Sequence, residues 1–302
     1  MNTIPYYHVD VFSKNAFSGN GLTIFTSAEG LSRETMQTLT REMRQFESIF
    51  LYQTDRNIFR AFIFTMEEEL DFAGHPLIGA AALLHDLYSS HKEHESWNIQ
   101  LNTRTVVIKT TRQGNYYSAR MNQGKAEFRT QLSPEQEKEY LGYLNLNEED
   151  KAGKLPFQVI TTGLPYLILP IKTSALSKIK VMIADLERKL EKIQAKFFYV
   201  LDVEKLQGRS WDNFGMVEDI ATGSAAGPVG AFLVKNNLTV AGSEIILRQG
   251  DFLGRPSKIQ ITVSNGGDIF VRGDVCKIAR GEIQVNTLPD LVAAQGTYFL
   301  TH

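Results

Sequence analysis

The sequence feature that most constrains the fold is an internal repeat. Residues 60–75 read RAFIFTMEEELDFAGH, and residues 209–224 read RSWDNFGMVEDIATGS. An alignment without gaps matches Arg60 with Arg209, Glu69 with Glu218 and Gly74 with Gly223. The offset is 149 residues, almost half of the 302-residue chain. A repeat with that period predicts two related halves of similar fold.

The segments next to the repeat strengthen this prediction. Small and apolar residues at helical spacing follow both copies, over residues 77–84 and 225–234. A weaker match at a similar offset pairs residues 19–25 with residues 163–169, and in both a glycine turn leads into a short apolar run. We therefore expect a duplicated chain whose halves are joined near the polar stretch 120–130.

Local patterns predict a mixture of strands and helices. Residues 48–52 and 57–64 are rich in β-forming residues. Residues 31–46 place apolar side chains at three- and four-residue steps behind the N-cap candidate Ser32. Residues 133–136 read SPEQ, the form of a helical capping box, and residues 183–193 predict a further helix. Many neighbouring strands look antiparallel, which favours an α+β fold over a regular parallel βαβ repeat.

Charge and cysteine content exclude several classes of protein. The chain has 32 basic and 34 acidic residues, a net charge of −2, which gives no support to nucleic-acid binding. Its single cysteine, Cys276, cannot form an intramolecular disulfide and is interpreted as a small core residue of a strand rather than a nucleophile. No signal-peptide pattern or membrane-length apolar run is visible. The expected location is the cytoplasm, with no membrane partner.

Two glycine turns are candidate ligand sites. Gly74-His75 and residues 222–227 stand at the predicted helix starts. The first N–H groups of a helix lack partners within it and its dipole is positive there, so such a start binds an anion or a carboxylate. The alternative is that each glycine only lets a helix pack closely against a sheet. Two copies, expected to face each other across a domain cleft, favour the ligand sites.

Three titratable residues are candidates for acid/base chemistry. Glu47 lies among residues such as Phe46 and Ile49, and a carboxylate partly removed from water suits a general acid/base. The local pattern alone, however, favours an exposed glutamate at the end of a helix. His75 and Asp219 stand beside the two helix starts, with a structural histidine and an N-cap aspartate as the alternatives.

Cofactor and metal motifs have little support. Neither a P-loop nor a complete G-x-G-x-x-G occurs, and no Ser/His/Asp nucleophile elbow is visible. His85, His91 and His94 cluster with glutamates but lack H-E-x-x-H spacing, which predicts a solvated loop. We expect no cofactor and no metal.

Several of these residues occur together in one known family. In chain order they are Val9-Asp10-Val11-Phe12, Gly19-Asn20, Glu47, Phe72-Ala73-Gly74-His75-Pro76, Glu218-Asp219 and Ala221-Thr222-Gly223-Ser224-Ala225-Ala226-Gly227. Over nearly its whole length the sequence resembles the PhzF-like isomerases of phenazine biosynthesis. The resemblance implies the diaminopimelate epimerase-like fold: two pseudo-symmetric α+β domains, each a curved, mostly antiparallel sheet around a central helix, with the active site between them. The predicted domains are residues 1–122, completed by residues 288–302, and residues 123–287.

The resemblance also implies roles for individual residues. Glu47 matches the acid/base glutamate, which takes a proton from one substrate carbon and returns it to another. His75 and Asp219 lie where the epimerases of this fold carry two cysteines, so thiol-based racemisation is not expected here. The residues that match groups holding the substrate's carboxylate are Gly74, Gly223 and Ser224.

The expected activity is a cofactor-independent proton shift on a small carboxylate-bearing substrate, with a homodimer as the expected assembly. Phe46, Gly21 and Ile220 depart from the family pattern, so the resemblance does not carry the phenazine-pathway substrate to this chain. Two alternatives remain. One is a non-catalytic small-molecule binding protein on the same scaffold. The other is an amino-acid racemase, which needs a second acid/base opposite Glu47.

Overall fold

The computed structural model describes residues 3–284, which form two compact units. Unit 1 contains residues 3–17, 21–119 and 274–284, and unit 2 contains residues 18–20 and 120–273. No helix of the described chain is long and apolar enough to cross a membrane.

Seventeen strands and five α-helices make up the described part of the chain. The strands are β1 (Thr3–Val11), β2 (Asn20–Phe25), β3 (Glu47–Asp55), β4 (Ile58–Thr65), β5 (Glu69–Leu70), β6 (His94–Gln100), β7 (Thr105–Gln113), β8 (Tyr116–Lys125), β9 (Glu127–Gln131), β10 (Gln158–Thr161), β11 (Pro165–Ile171), β12 (Phe197–Asp202), β13 (Gln207–Trp211), β14 (Glu218–Asp219), β15 (Glu244–Gln249), β16 (Ser257–Val263) and β17 (Asp268–Gln284). The helices are α1 (Arg33–Met43), α2 (Gly74–Tyr88), α3 (Pro134–Tyr143), α4 (Leu186–Lys192) and α5 (Gly223–Lys235).

The two units connect their strands in the same way. In unit 1, β2 runs parallel to β3, β3 pairs antiparallel with β4, and β4 pairs antiparallel with β5 and parallel with β6. In unit 2, β11 runs parallel to β12, β12 pairs antiparallel with β13, and β13 pairs antiparallel with β14 and parallel with β15. Six further strand pairs are antiparallel: β1–β17, β6–β7, β9–β10, β10–β11, β15–β16 and β16–β17. The repeat in the sequence is therefore a repeat of topology.

Each unit has one buried helix that starts at a repeated glycine. All residues of α2 from Gly74 to His85 are buried, and α5 is buried from Ala225 to Leu233. A helix that is apolar on every side must be surrounded by protein. Helix α2 packs against β1, β3, β6 and β7, and α5 packs against β10, β11 and β16. This confirms the predicted central helix of each domain.

A second, outer apolar layer lies on the other face of each set of strands. In unit 1 it combines Met36 and Leu39 of α1 with Phe25, Phe50 and Phe64, and the Phe25 and Phe50 rings stack at 4.5 Å. In unit 2 the larger layer includes residues of α3 and α4. Strands β2, β10, β11 and β12 are accordingly buried along nearly their whole length.

Most of the predicted helices are confirmed, with shorter ends. Ser32 caps α1 by accepting a hydrogen bond from the Thr35 N–H at 3.1 Å. Ser133 and Gln136 form the predicted capping box of α3. Helix α1 ends at Met43, before the predicted end at residue 46, because Arg44 adopts a left-handed conformation with φ 52°.

The segment expected to join the halves has regular structure. Residues 120–130 belong mainly to β8 and β9, and the boundary between the units lies inside β8, at 119/120. A further boundary lies inside β17, at 273/274. The predicted boundary at 287 and the segment 288–302 lie outside the described residues.

Candidate active site

Unit 1 brings Glu47 and His75 together. Glu47 is the first residue of β3, and His75 is the second residue of α2. Glu47 is 6% exposed and His75 is 3% exposed. Side chains alternate along a strand, so Glu47 shares the helix-facing side of β3 with Ile49 and Leu51. The start of the central helix therefore places an imidazole beside this carboxylate.

The contact between these two side chains is a hydrogen bond. His75 Nδ1 lies 2.8 Å from Glu47 Oε2. His75 Nε2 is buried and has no hydrogen-bond partner among residues 3–284. Buried polar atoms are nearly always paired in folded proteins, so an unpaired ring nitrogen next to a carboxylate is a candidate contact for a ligand.

The structure corrects the local interpretation of Glu47. The sequence pattern around it favoured an exposed glutamate at the end of a helix. In the structure Arg44 ends α1, and Glu47 begins a strand that pairs with β4 through Thr65. The left-handed residue turns the chain away from the helix axis, and this turn brings Glu47 into the interior. A buried carboxylate whose side chain bonds to an imidazole is suited to proton transfer.

Unit 2 fixes Asp219 by hydrogen bonds from three directions. Asp219 ends β14 and is 5% exposed. Its Oδ1 accepts from Asn20 Nδ2 at 2.8 Å and from the Ala221 N–H at 3.4 Å. Its Oδ2 accepts from the Thr222 hydroxyl at 2.7 Å. These donors set the plane of the carboxylate. Asp219 is not the N-cap of α5, since Thr222 holds that position.

The helix starts carry the remaining predicted residues. Gly74 opens α2 after Ala73, which has no side-chain group to cap it, and Gly223 opens α5 after Thr222, whose hydroxyl bonds to Asp219 instead of capping the helix. Neither start is capped by a side chain, as an anion-binding site requires. The Ser224 hydroxyl lies 2.7 Å from the Tyr166 hydroxyl.

Sequence reasoning missed the residues behind Asp219. Gln249 contacts both Asp219 and Thr222, and the Tyr199 hydroxyl donates to Gln249 Oε1 at 3.0 Å. One signal was available: Ile245 and Leu247 are the inward residues of β15, and Gln249 is a polar residue at the next inward position. A polar residue at a position that the strand pattern predicts to be buried indicates a specific hydrogen-bonding role. Tyr199, in the apolar run of β12, carries no such signal.

Other candidates lie elsewhere. His85 is buried in the last turn of α2 and not in a solvated loop, because that helix extends to Tyr88. Within residues 3–284, no group of three or more histidine, cysteine or acidic side chains is placed to hold a metal ion. Cys276 is half-buried in β17, and burial, together with nearby Asp10, raises the pKa of its thiol.

A model of the phenazine biosynthesis-like protein family matches residues 9–276. The chain belongs to this family. Over 291 residues it is 28% identical to a trans-2,3-dihydro-3-hydroxyanthranilate isomerase of Pseudomonas chlororaphis, with 89% of this chain and 98% of the relative covered. Curated relatives are named isomerases, and this chain is an isomerase.

Solved structures agree with the predicted fold. A predicted epimerase from Pseudomonas aeruginosa superposes with a TM-score of 0.89 at 44% identity, covering 93% of this chain and 99% of that one. A hydroxyproline epimerase from Agrobacterium vitis superposes with a TM-score of 0.60 at 10% identity, covering 93% and 92%. The second match concerns the fold alone. The chain has the α+β fold of the diaminopimelate epimerase-like proteins.

Proposed function

We propose that this isomerase moves a proton between two carbons of a small carboxylate-bearing substrate, with Glu47 as the acid/base. The observation that carries the proposal is the buried Glu47–His75 pair, with its 2.8 Å hydrogen bond and the unpaired Nε2 of His75. A general base must be within hydrogen-bond reach of its proton and hold a defined orientation. The hydrogen bond from His75 supplies the orientation.

The proposed reaction is a shift on one face of the substrate. A carbon–hydrogen bond next to an unsaturated or carbonyl-stabilised carbon breaks, and the proton goes to a Glu47 oxygen. The electron pair enters the conjugated system, and the same proton then returns to another carbon of that system. No electrons enter or leave the substrate, so the step needs no cofactor. Positioned proton transfer of this kind contributes about 10²–10⁴-fold in rate.

Substrate binding is the second part of the proposal. The uncapped helix starts at Gly74 and Gly223, with the Ser224 hydroxyl, hold the substrate's carboxylate, and Asp219 orients its polar groups. A cytoplasmic enzyme acting as a homodimer is part of the same proposal. The cytoplasmic location is supported by the single cysteine of the chain.

The racemase alternative needs two independent acid/base groups on opposite faces of the substrate. His75 bonds directly to Glu47 and forms one centre with it. This favours a one-face proton shift over a reaction with His75 as the opposing base.

The test is solvent exchange in D₂O with trans-2,3-dihydro-3-hydroxyanthranilate as the first probe and related cyclic amino- and hydroxy-carboxylates beside it. Wild-type protein is expected to isomerise a probe. Deuterium is expected at the accepting carbon in the fraction of turnovers in which the proton on Glu47 exchanges with D₂O before it returns, as followed by NMR. Glu47→Gln keeps the shape of the side chain but cannot take up a proton, and is expected to lower the rate by about 10²-fold or more. Glu42→Gln, at an exposed helical glutamate, is the matched control and is expected to keep the rate.

Two results would count against the proposal. Wild-type rates from Glu47→Gln would remove Glu47 as the base. Tight binding of every probe, without turnover or exchange, would favour a binding protein on the same scaffold.

A further inference from the structure

Four buried polar side chains form a closed network in unit 2. They are Tyr199, Asp219, Thr222 and Gln249, and none is more than 6% exposed. Gln249 lies at its centre and uses both ends of its amide. Its Oε1 accepts from the Tyr199 hydroxyl at 3.0 Å and from the Thr222 N–H at 3.1 Å. Its Nε2 donates to the Asp219 carbonyl oxygen at 2.8 Å and to Thr222 Oγ1 at 3.0 Å.

The network ends on the Asp219 carboxylate. Thr222 Oγ1 accepts from Gln249 and therefore has its own hydrogen to give to Asp219 Oδ2. Tyr199 is a donor, because complete burial, with Asp219 and Tyr166 nearby, raises the pKa of its phenol well above the ordinary value. Each hydroxyl hydrogen in the network thus has one assigned acceptor. Gln249 sets both the backbone and the side-chain contacts of the turn that carries Asp219.

Two glycines make room for this arrangement. A Cβ on Gly208 would lie 2.1–2.3 Å from ring and hydroxyl atoms of Tyr199. Gly250 has φ 85°, and a Cβ there would lie 2.8 Å from the Ile220 carbonyl oxygen and 2.3 Å from that of Arg255. The first glycine admits the tyrosine ring, and the second admits the backbone of the 219–222 turn. The backbone around the network is built for these side chains.

Unit 1 shows that the fold does not need the network. Across three strands of unit 2, Asp219 pairs with Ser210 and Ser210 with Tyr199. At the same place in unit 1, Leu70 pairs with Ile63 and Ile63 with Ile49.

The other two network positions are apolar in unit 1 as well. In unit 2, Gln207 lies three residues before Ser210 and pairs with Arg248. In unit 1, Arg60 lies three residues before Ile63 and pairs with Gln100. Arg248 therefore corresponds to Gln100, and the next residues, Gln249 and Leu101, correspond to each other. Thr222 and Ala73 are the two N-cap residues. Thus Ile49, Leu70, Ala73 and Leu101, all buried in unit 1, occupy the four places of the network.

We infer that Gln249, anchored by Tyr199, is a positioning residue that holds Asp219 and the start of α5 in the geometry needed for catalysis. Buried polar groups are retained at a cost in desolvation, and unit 1 fills the same positions with aliphatic side chains. The difference at these positions is that unit 2 has the Asp219 carboxylate to orient, where unit 1 has Leu70. This inference rests on the role proposed above for Asp219.

The first experiment needs no substrate. Hydrogen–deuterium exchange of the amides at 219–222 is measured in wild type, Gln249→Met and Gln100→Glu. Gln249→Met removes the acceptor of the Thr222 N–H and is expected to speed exchange at 221–222 by about tenfold or more, with other segments unchanged. Gln100 is a partly exposed glutamine on β6 whose side chain makes no hydrogen bond within the described chain, and its variant serves as control. Unchanged exchange in Gln249→Met would overturn the inference.

The second experiment separates positioning from stability. Gln249→Glu keeps an oxygen that accepts from the Tyr199 hydroxyl and the Thr222 N–H, but it loses the Nε2 donor to the Asp219 carbonyl oxygen and Thr222 Oγ1. The start of α5 stays bonded while the Asp219 carbonyl oxygen loses its hydrogen bond from Gln249. With trans-2,3-dihydro-3-hydroxyanthranilate as probe, kcat is expected to fall by about 10- to 100-fold with KM within about threefold, since small misplacements cost that much in rate. Tyr199→Phe removes only one donor to Oε1 and is expected to lower kcat by about two- to fivefold, a milder variant in case the charged one fails to fold.

The outcomes distinguish this inference from the proposed function. Wild-type kcat in Gln249→Glu and Tyr199→Phe, with a strong loss in Asp219→Asn, would overturn the positioning role and leave the proposed role of Asp219 standing. Wild-type kcat in Asp219→Asn would overturn both. A wild-type protein inactive on the probe counts against that substrate, and the exchange measurement then decides the positioning role alone.

Discussion

The two units share a topology but place their polar groups differently. In unit 1 the candidate chemistry lies at the start of β3 and the start of α2, with Glu47 and His75. By strand register these positions correspond in unit 2 to Phe197 and Ser224. In unit 2 the candidate chemistry lies at Asp219, where unit 1 has Leu70. The duplicated framework thus supplies strands, turns and helix starts twice, and each copy carries different candidate residues.

The two arginines matched by the sequence repeat, Arg60 and Arg209, do not lie at equivalent positions in the two units. The ungapped alignment matches Arg60 with Arg209, but the turns that follow differ in length. In unit 1, four residues lie between the paired Phe64 and Glu69. In unit 2, six residues lie between the paired Trp211 and Glu218. The two-residue difference places Arg209 where unit 1 has Phe62. Arg209 accordingly binds Glu218 through two hydrogen bonds of 2.7 Å.

Glu69, in contrast, pairs with Arg33 of helix α1. Its carboxylate also accepts from Asn102, and Arg60 bonds to Asn102 and to backbone carbonyls of the same turn. The arginine and the glutamate matched by the repeat therefore bind each other in unit 2 but bind other residues in unit 1.

The most drastic way to test the comparison is to give unit 2 the apolar residues of unit 1. The variant Tyr199→Ile, Gly208→Ala, Asp219→Leu, Thr222→Ala, Gln249→Leu removes the whole network at once. Replacing all partners by packed apolar groups can be nearly neutral for folding. We expect turnover to fall by more than about 10³-fold while cooperative thermal unfolding is retained. A variant that keeps its turnover would show that the network has no catalytic role.

A smaller contrast separates the two residues at the second position of the central helices. His75→Phe removes the partner of Glu47 and is expected to lower kcat by about 10²-fold. Ser224→Ala removes the hydroxyl proposed to bind the substrate's carboxylate and is expected to raise KM by about tenfold with a minor effect on kcat. Steady-state kinetics on one probe measures both. A KM effect in His75→Phe with unchanged kcat would assign the histidine to binding instead.

The unequal ion pairs predict unequal stability. Arg209 and Glu218 have side chains 10% and 12% exposed, so Arg209→Met leaves a nearly buried carboxylate without its partner and is expected to destabilise the fold by about 3 kcal/mol. In the Arg33–Glu69 pair the arginine is 57% exposed, and Arg33→Met is expected to cost less than about 1 kcal/mol. Urea unfolding checks the ranking. Equal losses would mean that the repeated glutamates play the same structural role.

The sequence predicts the framework better than the chemistry. Repeated glycines, apolar helices and the capping box at Ser133 are local signals, and they identified both central helices and α3. Glu47 illustrates the limit. Its burial depends on the left-handed Arg44 and on pairing with β4, and no local pattern encodes the two together.

Long-range contacts explain the other residues that were missed. Gln249 reaches a turn 27–30 residues away along the chain, and Tyr199 reaches Gln249 across 50 residues. Single-sequence periodicity reports which side of an element is buried, but not which polar groups meet there. The only sequence signal of these contacts is that Gln249, a polar residue, occupies an inward position of β15.

Transfer of a label from substrate to product tests the central claim most directly. A substrate carrying deuterium at the carbon that loses its proton is converted in H₂O under single-turnover conditions, and the product is examined by mass spectrometry and NMR. If Glu47 both removes and returns the proton, part of the deuterium label appears at the accepting carbon of the product. Glu47→Gln is then expected to form product, labelled or unlabelled, far more slowly than the wild-type protein. Product formation by Glu47→Gln at the wild-type rate would contradict the account.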